Sequence, residues 1–503
     1  MGLSKQAAIF DFAVIVDVPI GRQAAEAPYA RVTMGTMLQY ELFQNPSVPM
    51  FASNVTRSAV IFVKWGVHIA GLDRASFYGG LGRVWNIAQS AVSLLLIARF
   101  FSLDVQGFHY TFMSLIALQV FAELGLGQVL IQYVSHEWIH LRLGGDGSVE
   151  GNDLAADRLA GLMHFAIRWF GTASLLFFLG AEVAGYIIFH HSNIHIGWIW
   201  QWTALCLAVV ADLCLLPFFC VLDGTNQVIS SYQIRFIRGI STGLALCIAI
   251  YFGGGLWSSA ISLWAGVLSM GLMVLLRHQV FFVSLFRRDY SKSGWLTELW
   301  PMQWRIMLSW ISGYLSFSLF TPVLFKFQGP MAAAQMGMTW SIIQSLSGIT
   351  GTVVQTKVPL FGMLVAQRNW AELDRLAIRL SASSGVLLLF GGAVLLGGVY
   401  LLHLYQVPFA RRLLPLTPLA IFLLASVVIQ IMMPIAFYLR AHKREPLLAI
   451  SLIIGFLTAL STLVLGYYFG AVGIAWGYLA ITVLIALPGC LFVLMRFRQA
   501  WHT

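Results

Sequence analysis

Apolar runs of roughly bilayer length recur from about residue 81 to residue 494. Twelve are read, near 81–101, 108–133, 166–189, 197–221, 232–252, 256–278, 304–325, 331–355, 379–405, 413–438, 446–468 and 471–494. Each approaches the ~20 residues needed to span a hydrocarbon core. Each reads as a helix, because open strands leave backbone groups unsatisfied in lipid. The first run is not evenly apolar. Arg83, Asn86, Ser90 and Ser93 fall at i, i+3, i+7 and i+10, which stacks them along one side. In the seventh run Arg305, Ser309, Ser312 and Ser316 repeat the stripe at i, i+4, i+7 and i+11. At an offset of 222 residues Arg83 meets Arg305, Ser90 meets Ser312, and Gln106-Gly107 meets Gln328-Gly329. Near the ends of the halves, Tyr251-Phe252-Gly253 matches Tyr468-Phe469-Gly470 at an offset of 217. Lipid gives a polar stripe no partner, so both stripes are expected to face protein or water. Six spans per half makes the repeats parallel, with a wet cleft between two lobes that rock about it.

Composition narrows the class. The 503 residues are 59% hydrophobic and 10% charged, with a mean hydropathy of +0.81. The fold class expected is therefore an all-α polytopic membrane protein: twelve transmembrane helices in two pseudo-symmetric six-helix lobes around a central cavity. Net charge is +10. The basic residues crowd into alternate connections, so the positive-inside rule accounts for them and nucleic acid is not a partner. Both termini then lie in the cytoplasm, the outer loops are short, and the expected location is the inner (plasma) membrane of a bacterium. The lobes are placed at 77–280 and 301–503, joined by a cytoplasmic, interfacial linker at 281–300. Residues 1–76 form a cytoplasmic tail, and Met34, Met37 and Met50 are alternative starts. Asn54-Val55-Thr56 is a chance sequon on such a tail. The five cysteines lie in apolar runs without metal-ligand spacing. Pro217, Pro322 and Pro434 fall inside spans and should kink them.

One family carries these features. ARFFSLDVQGFHYTFMSLIALQVFAELGLGQVLIQYVSHEW (98–138) resembles the first two helices of polysaccharide (O-antigen-type) flippases, part of the multidrug/oligosaccharidyl-lipid/polysaccharide exporter superfamily. The likeness continues in FQGPMAAAQMGMTW (327–340), TKVPLFGMLVAQRNWAELDRL (356–376), YLRAHKREPLLA (438–449) and YYFGAVGIAWGYLA (467–480). It covers roughly 80–495. It implies transfer of polyprenyl-phosphate- or pyrophosphate-linked oligosaccharide from the cytoplasmic to the outer leaflet, for surface polysaccharide. Membrane lipid, a polysaccharide polymerase and glycosyltransferases are the partners it implies.

Such a substrate needs cations for its phosphate and a hydrogen-bonding wall for its sugar. Arginine suits phosphate, because its fork donates two bonds and stays charged. Arg83 and Arg305, at the cytoplasmic mouths of matched helices, are the candidate head-group ligands; the alternative is snorkelling anchorage. Arg99, near the outer end of the first span, would aid release; the alternative is that it only anchors that end. Asn86, Ser90, Ser312, Gln119, Gln335 and Lys357 are the further candidate contacts, with Thr339 and Ser345 beside them, although polar groups also hold membrane helices together. Glu123, Glu182 and Asp212 are acids within spans, where an ionised group is costly unless paired or hydrated. They are candidates for proton or sodium coupling, against plain helix–helix bonding. His190, His191 and His195 read as interfacial rather than metal-binding. No cofactor and no catalytic residue is expected. The alternative function is an ion-coupled cation antiporter of the multidrug and toxin extrusion branch. It is disfavoured because the first span holds no acid and its stripe is headed by arginine. A membrane glycosyltransferase or polymerase would need sizeable outer loops.

Overall fold

The computed structural model describes residues 74–190, 196–288, 294–442 and 445–502, apart from the side chains at 74–76, 302, 305, 309, 500 and 502. The expected tail, its alternative starts and its sequon lie outside these residues or at their edge, as do His191 and His195. Among the described residues the chain is all-α apart from one hairpin, and its helices are those of a polytopic membrane protein. Nine helices among the described residues are long and apolar enough to cross a membrane, or eleven if each of two bent pairs is one span. One of the nine is the 52-residue stretch Leu448–Gln499. Straight, it would measure about 78 Å at 1.5 Å per residue, over twice the ~30 Å core. Gly470, at φ +59°, turns the chain near its middle. The hydropathy count of twelve is reached only when this stretch is divided there.

In chain order, α1 (Arg74–Phe100) leads into α2 (Leu103–Ile116), a 3-10 turn (Ala117–Gln119), α3 (Val120–Glu123) and α4 (Leu126–Trp138). Strands β1 (Leu141–Leu143) and β2 (Val149–Gly151) pair antiparallel, with Arg142 opposite Glu150. Next come α5 (Asp153–Phe189), α6 (Ile199–Gly224), α7 (Val228–Tyr251) and α8 (Trp257–Phe286). The second set is α9 (Trp295–Phe317), α10 (Phe320–Gln328), α11 (Pro330–Gln355), α12 (Val358–Ala366), α13 (Trp370–Leu404), α14 (Leu416–Ala441), α15 (Leu448–Ile481) and α16 (Leu487–His502).

Two features depart from the hydropathy pattern. The second span is longer than 108–133 and breaks in its middle, bending 43° between Glu123 and Leu126. Leu124 (φ +47°) and Gly125 (φ +70°) make that break. A left-handed leucine costs about 1–2 kcal/mol, so the surrounding packing must hold it. Gly125 is required at the contact: a Cβ there would lie 2.3 Å from Ile306 Cγ2. The seventh span likewise breaks at Ser318-Leu319 and bends 42°. Pro322 falls in the first turn of the new helix, where its missing N–H leaves no bond broken. The inner loop at 135–165 proves largely regular, because α4, the hairpin and the start of α5 absorb it. Asn152 caps α5 through the Leu154 and Ala155 amides.

Equivalent helices pack alike in the two sets. α1 lies along α7, and α9 lies along α15. Trp85 Nε1 donates to Gly239 O at 2.9 Å in the first pair. In the second, Ser312 donates to Ser451 O, and Gly455 lets the backbones approach. The main contact between the sets is α2 against α11. A Cβ on Gly107 would sit 2.1 Å from Pro330 O, and one on Gly337 would sit 2.3 Å from Tyr110 Cβ. These glycines make the close seam possible.

Candidate functional site

A cavity of about 390 Å3 lies between the two helix sets, below that seam. α1 supplies Ser90 and Ser93 and α2 supplies His109, Tyr110 and Ser114. The break between α9 and α10 presents Phe317, Ser318 and Thr321, and α11 presents Trp340, Ser341 and Gln344. No Lys, Arg, Asp or Glu is among its lining residues. The broken seventh span suits this position, because irregular backbone at membrane depth needs protein or cavity around it. The Ser114 hydroxyl of the first set donates to Ser318 O in that break. His109 Nδ1 pairs with Ser259 Oγ at 2.7 Å, which fixes the ring against α8. Ser93 donates to Gln89 O at 2.8 Å, leaving its oxygen as an acceptor. Trp340 is wedged against Phe317, Phe320, Phe422 and Tyr478.

The end of the seam expected to face outward is tied by polar bonds. Arg412, in the 3-10 turn Pro408–Arg412, donates to Gln106 Oε1 at 2.7 Å and to Phe101 O at 2.7 Å. Gln106 is fully buried and donates back to Ala334 O at 3.0 Å. Of the two matched Gln-Gly pairs, Gln106-Gly107 lies within α2, whereas Gln328 ends α10 and Gly329 caps the start of α11. Burial pulls the Arg412 guanidinium below its ordinary value, and the neighbouring Tyr110 opposes that shift. At the opposite end, expected to face inward, Arg158 bonds Glu137 at 2.8 Å and Glu298 at 3.1 Å, and its guanidinium lies 5.1 Å over the Trp295 ring. Tyr133 donates to Glu298 O at 3.0 Å. Leu299, Gln303 and Ile306 share one face of α9, and Leu299 and Ile306 pack into the core of the first set. Gln303 is fully buried with neither amide atom hydrogen-bonded among the described residues.

The sequence candidates distribute unevenly around this cavity. Ser90 lines it. Arg83 and Asn86 continue the same stripe toward the inner end of α1, where both are exposed. Arg305 lies in α9, but its side chain is outside the described residues. Ser312 turns to α15 rather than to the cavity. Gln335 donates to Arg411 O at 3.0 Å, outside the cavity lining. Thr339 accepts from Leu414 N, and Ser345 donates to Ser341 O. Arg99 is exposed at the outer end of α1, and Lys357 is exposed ahead of α12. Gln119 sits half-buried in the 3-10 turn.

Two of the three acids form a separate cluster inside the first set. Glu123 ends α3 at the mid-span break, within electrostatic range of Asp212. Asp212 accepts from Arg238 at 2.7 Å through Oδ2, while its Oδ1 is buried with no hydrogen bond among the described residues. Glu182 has Thr203 as a partner of its own. Arg238 was not singled out among the sequence candidates, although a basic residue inside the fifth span (RFIRGIS) is the signal that identifies it. Among the described residues no group of His, Cys, Asp or Glu could hold a metal ion.

Solved structures with this fold are membrane transporters. An inward-facing multidrug resistance MATE family transporter of the MOP superfamily superposes with a TM-score of 0.62 at 14% identity, covering 82% of this chain and 95% of its own. The lipid II flippase MurJ, in an inward closed conformation, gives 0.59 at 12% identity, covering 83% and 86%. The MATE multidrug transporter DinF-BH gives 0.56 at 13%, covering 86% and 96%. No protein-family model matches the sequence, and no curated protein matches it. The chain therefore has the fold of the MATE and MurJ transporters.

Proposed function

We propose that the chain is a transporter that flips polyprenyl-phosphate- or pyrophosphate-linked oligosaccharide from the cytoplasmic to the outer leaflet by alternating access, in the inner membrane of a bacterium with both termini inside. The observation that carries this reading is the uncharged cavity. Its hydroxyls, the Gln344 amide and the aromatic faces of Tyr110, Phe317 and Trp340 suit a neutral saccharide. A cationic drug would find no carboxylate among those lining residues. The volume falls within the ~300–1,000 Å3 range of small-ligand sites. Arg83, two stripe positions inward of Ser90, would hold the anionic phosphate at the inner mouth. Glu123 and Asp212 are the groups that would bind a coupling proton or sodium ion, with Arg238 as their internal counter-charge.

The test is reconstitution in liposomes. A fluorescent polyprenyl-linked oligosaccharide should cross, and a lipophilic cationic dye should not be exchanged for protons or sodium. Trp340→Ala and Gln344→Ala should each slow sugar-lipid transfer about tenfold, the worth of one lost stacking or hydrogen-bonding contact in the translocating complex. Dye exchange without sugar-lipid transfer would overturn the proposal in favour of the antiporter.

A further inference from the structure

We infer that the second helix set carries a site for one anionic phospholipid of the inner leaflet, separate from the transport cavity. A trough of about 590 Å3 runs between α13, α14 and α16. Its walls are apolar, with Ile378 and Leu389 from α13, Ile431 from α14 and Leu494 from α16. From Ile378 to Leu389 it extends about 17 Å at 1.5 Å per residue, close to one leaflet's share of the ~30 Å core. Gly385 gives it depth, because a Cβ there would meet Ile431 Cγ1 at 2.7 Å and push α13 and α14 apart. The trough takes no wall from α1, α2, α7, α9, α10 or α11, the helices that line the cavity.

The foot of the trough is polar and built. Arg498 donates to Asp374 Oδ2 at 2.6 Å, and the Tyr438 hydroxyl donates to Oδ1 at 2.9 Å. Both carboxylate oxygens are thereby occupied, and the Arg498 fork is fixed at the trough mouth with 55% of its side chain exposed. A guanidinium has five N–H donors, so those not facing Asp374 remain for a phosphate. Arg379 stands three residues before the wall residue Ala382 on the same face of α13 and is exposed. Beside the foot, His442 is stacked between Trp370 and Trp501, at ring distances of 5.9 and 4.2 Å. Tryptophans of this kind mark the head-group level of a bilayer. An apolar trough at chain depth with arginines at head-group depth matches a lipid whose head is a phosphate without a compensating amine.

The experiment uses the full chain, purified in detergent after extraction into a 1:1 mixture of phosphatidylglycerol and phosphatidylethanolamine with the same acyl chains. Native mass spectrometry should show one retained phosphatidylglycerol per protein, in preference to phosphatidylethanolamine. Ala382→Trp, which fills the trough, and Arg379→Ala, which removes an exposed charge, should each lower that retention roughly tenfold, the worth of one charge-assisted phosphate contact. Arg379→Ala keeps the test valid if the trough-filling variant does not fold. Equal retention of the two lipids, or unchanged retention in a folded Ala382→Trp, would overturn the site. So would displacement of phosphatidylglycerol by a polyprenyl phosphate, which would make the trough a substrate-tail site instead. None of these outcomes depends on sugar-lipid transfer.

Discussion

Replacing Arg412 by alanine should open the outer seam. The guanidinium donates two bonds across it, to Gln106 Oε1 and Phe101 O, both at 2.7 Å. Bonds from a charged donor contribute about 1.5–3 kcal/mol each when buried. Arg412 is only part-buried, so about 2–3 kcal/mol for the pair is a fair magnitude. That bias corresponds to a shift of roughly 30- to 150-fold in the ratio of closed to open outer mouths. Burial lowers the Arg412 pKa, but a guanidinium stays charged throughout the physiological range, so the effect should not vary with pH. The assay places a single cysteine at Ser341, on the cavity wall, in a chain whose five native cysteines are replaced. A membrane-impermeant maleimide added from outside should label it much faster in Arg412→Ala. Arg412→Lys, which keeps charge without the fork, should fall between. Gln106→Ala should have a similar effect, and the double variant should be less than additive, since one bond is shared. Unchanged labelling in a folded Arg412→Ala protein would refute the claim that this clasp holds the mouth shut.

Three further outcomes follow from buried polar groups. Gln303→Leu removes two buried amide atoms that have no hydrogen bond among the described residues and should stabilise the folded chain by about 1–3 kcal/mol, read as a higher melting temperature. Arg238→Ala should destabilise by about 3 kcal/mol by leaving Asp212 alone, whereas Arg238→Gln combined with Asp212→Asn should recover most of the loss in thermal unfolding. His442, whose pKa burial holds below 6.5 against the weaker opposing effect of the Tyr438 carbonyl, favours its neutral form in the fold. Its contribution is therefore full above pH 6.5 and lost as pH falls through the lowered value, so the melting temperature should drop on acidification less in His442→Gln than in the natural chain.

Periodicity made the spans and the α1 stripe readable, and Ser90 and Ser93 do line the cavity. It could not say what the other stripe faces. Ser312 repeats Ser90 in register, yet its hydroxyl goes to Ser451 on α15. A helical repeat defines a face; the neighbouring helix decides whether that face is wet. The break in the second span was hidden, because Leu124 is as apolar as its surroundings and hydropathy is blind to φ; the break in the seventh span was signalled by Pro322, which lies just after it. Arg412 was not singled out, because the sequence does not show which groups its guanidinium would meet across the seam. Arg238 was legible on the same rule that picked out Glu123, Glu182 and Asp212, since any ion inside a span needs a partner.

The two ends of the cavity are closed by unlike chemistry, and that sets an order of opening. At the outer end, Gly107 and Gly337 bring backbones into contact and the polar groups are paired through Gln106 and Arg412. At the inner end, α9 packs on the first set with Gln303 buried and without a hydrogen bond among the described residues. The ion pair that crosses to α9, Arg158–Glu298, is nearly half exposed on both sides and so worth at most about 1 kcal/mol. Water entering the inner seam satisfies the Gln303 amide, so opening there recovers part of its own desolvation penalty. Water entering the outer seam replaces bonds that already exist. The inner mouth should therefore open at lower cost in the empty protein, which is the order that the proposed loading from the cytoplasmic leaflet requires.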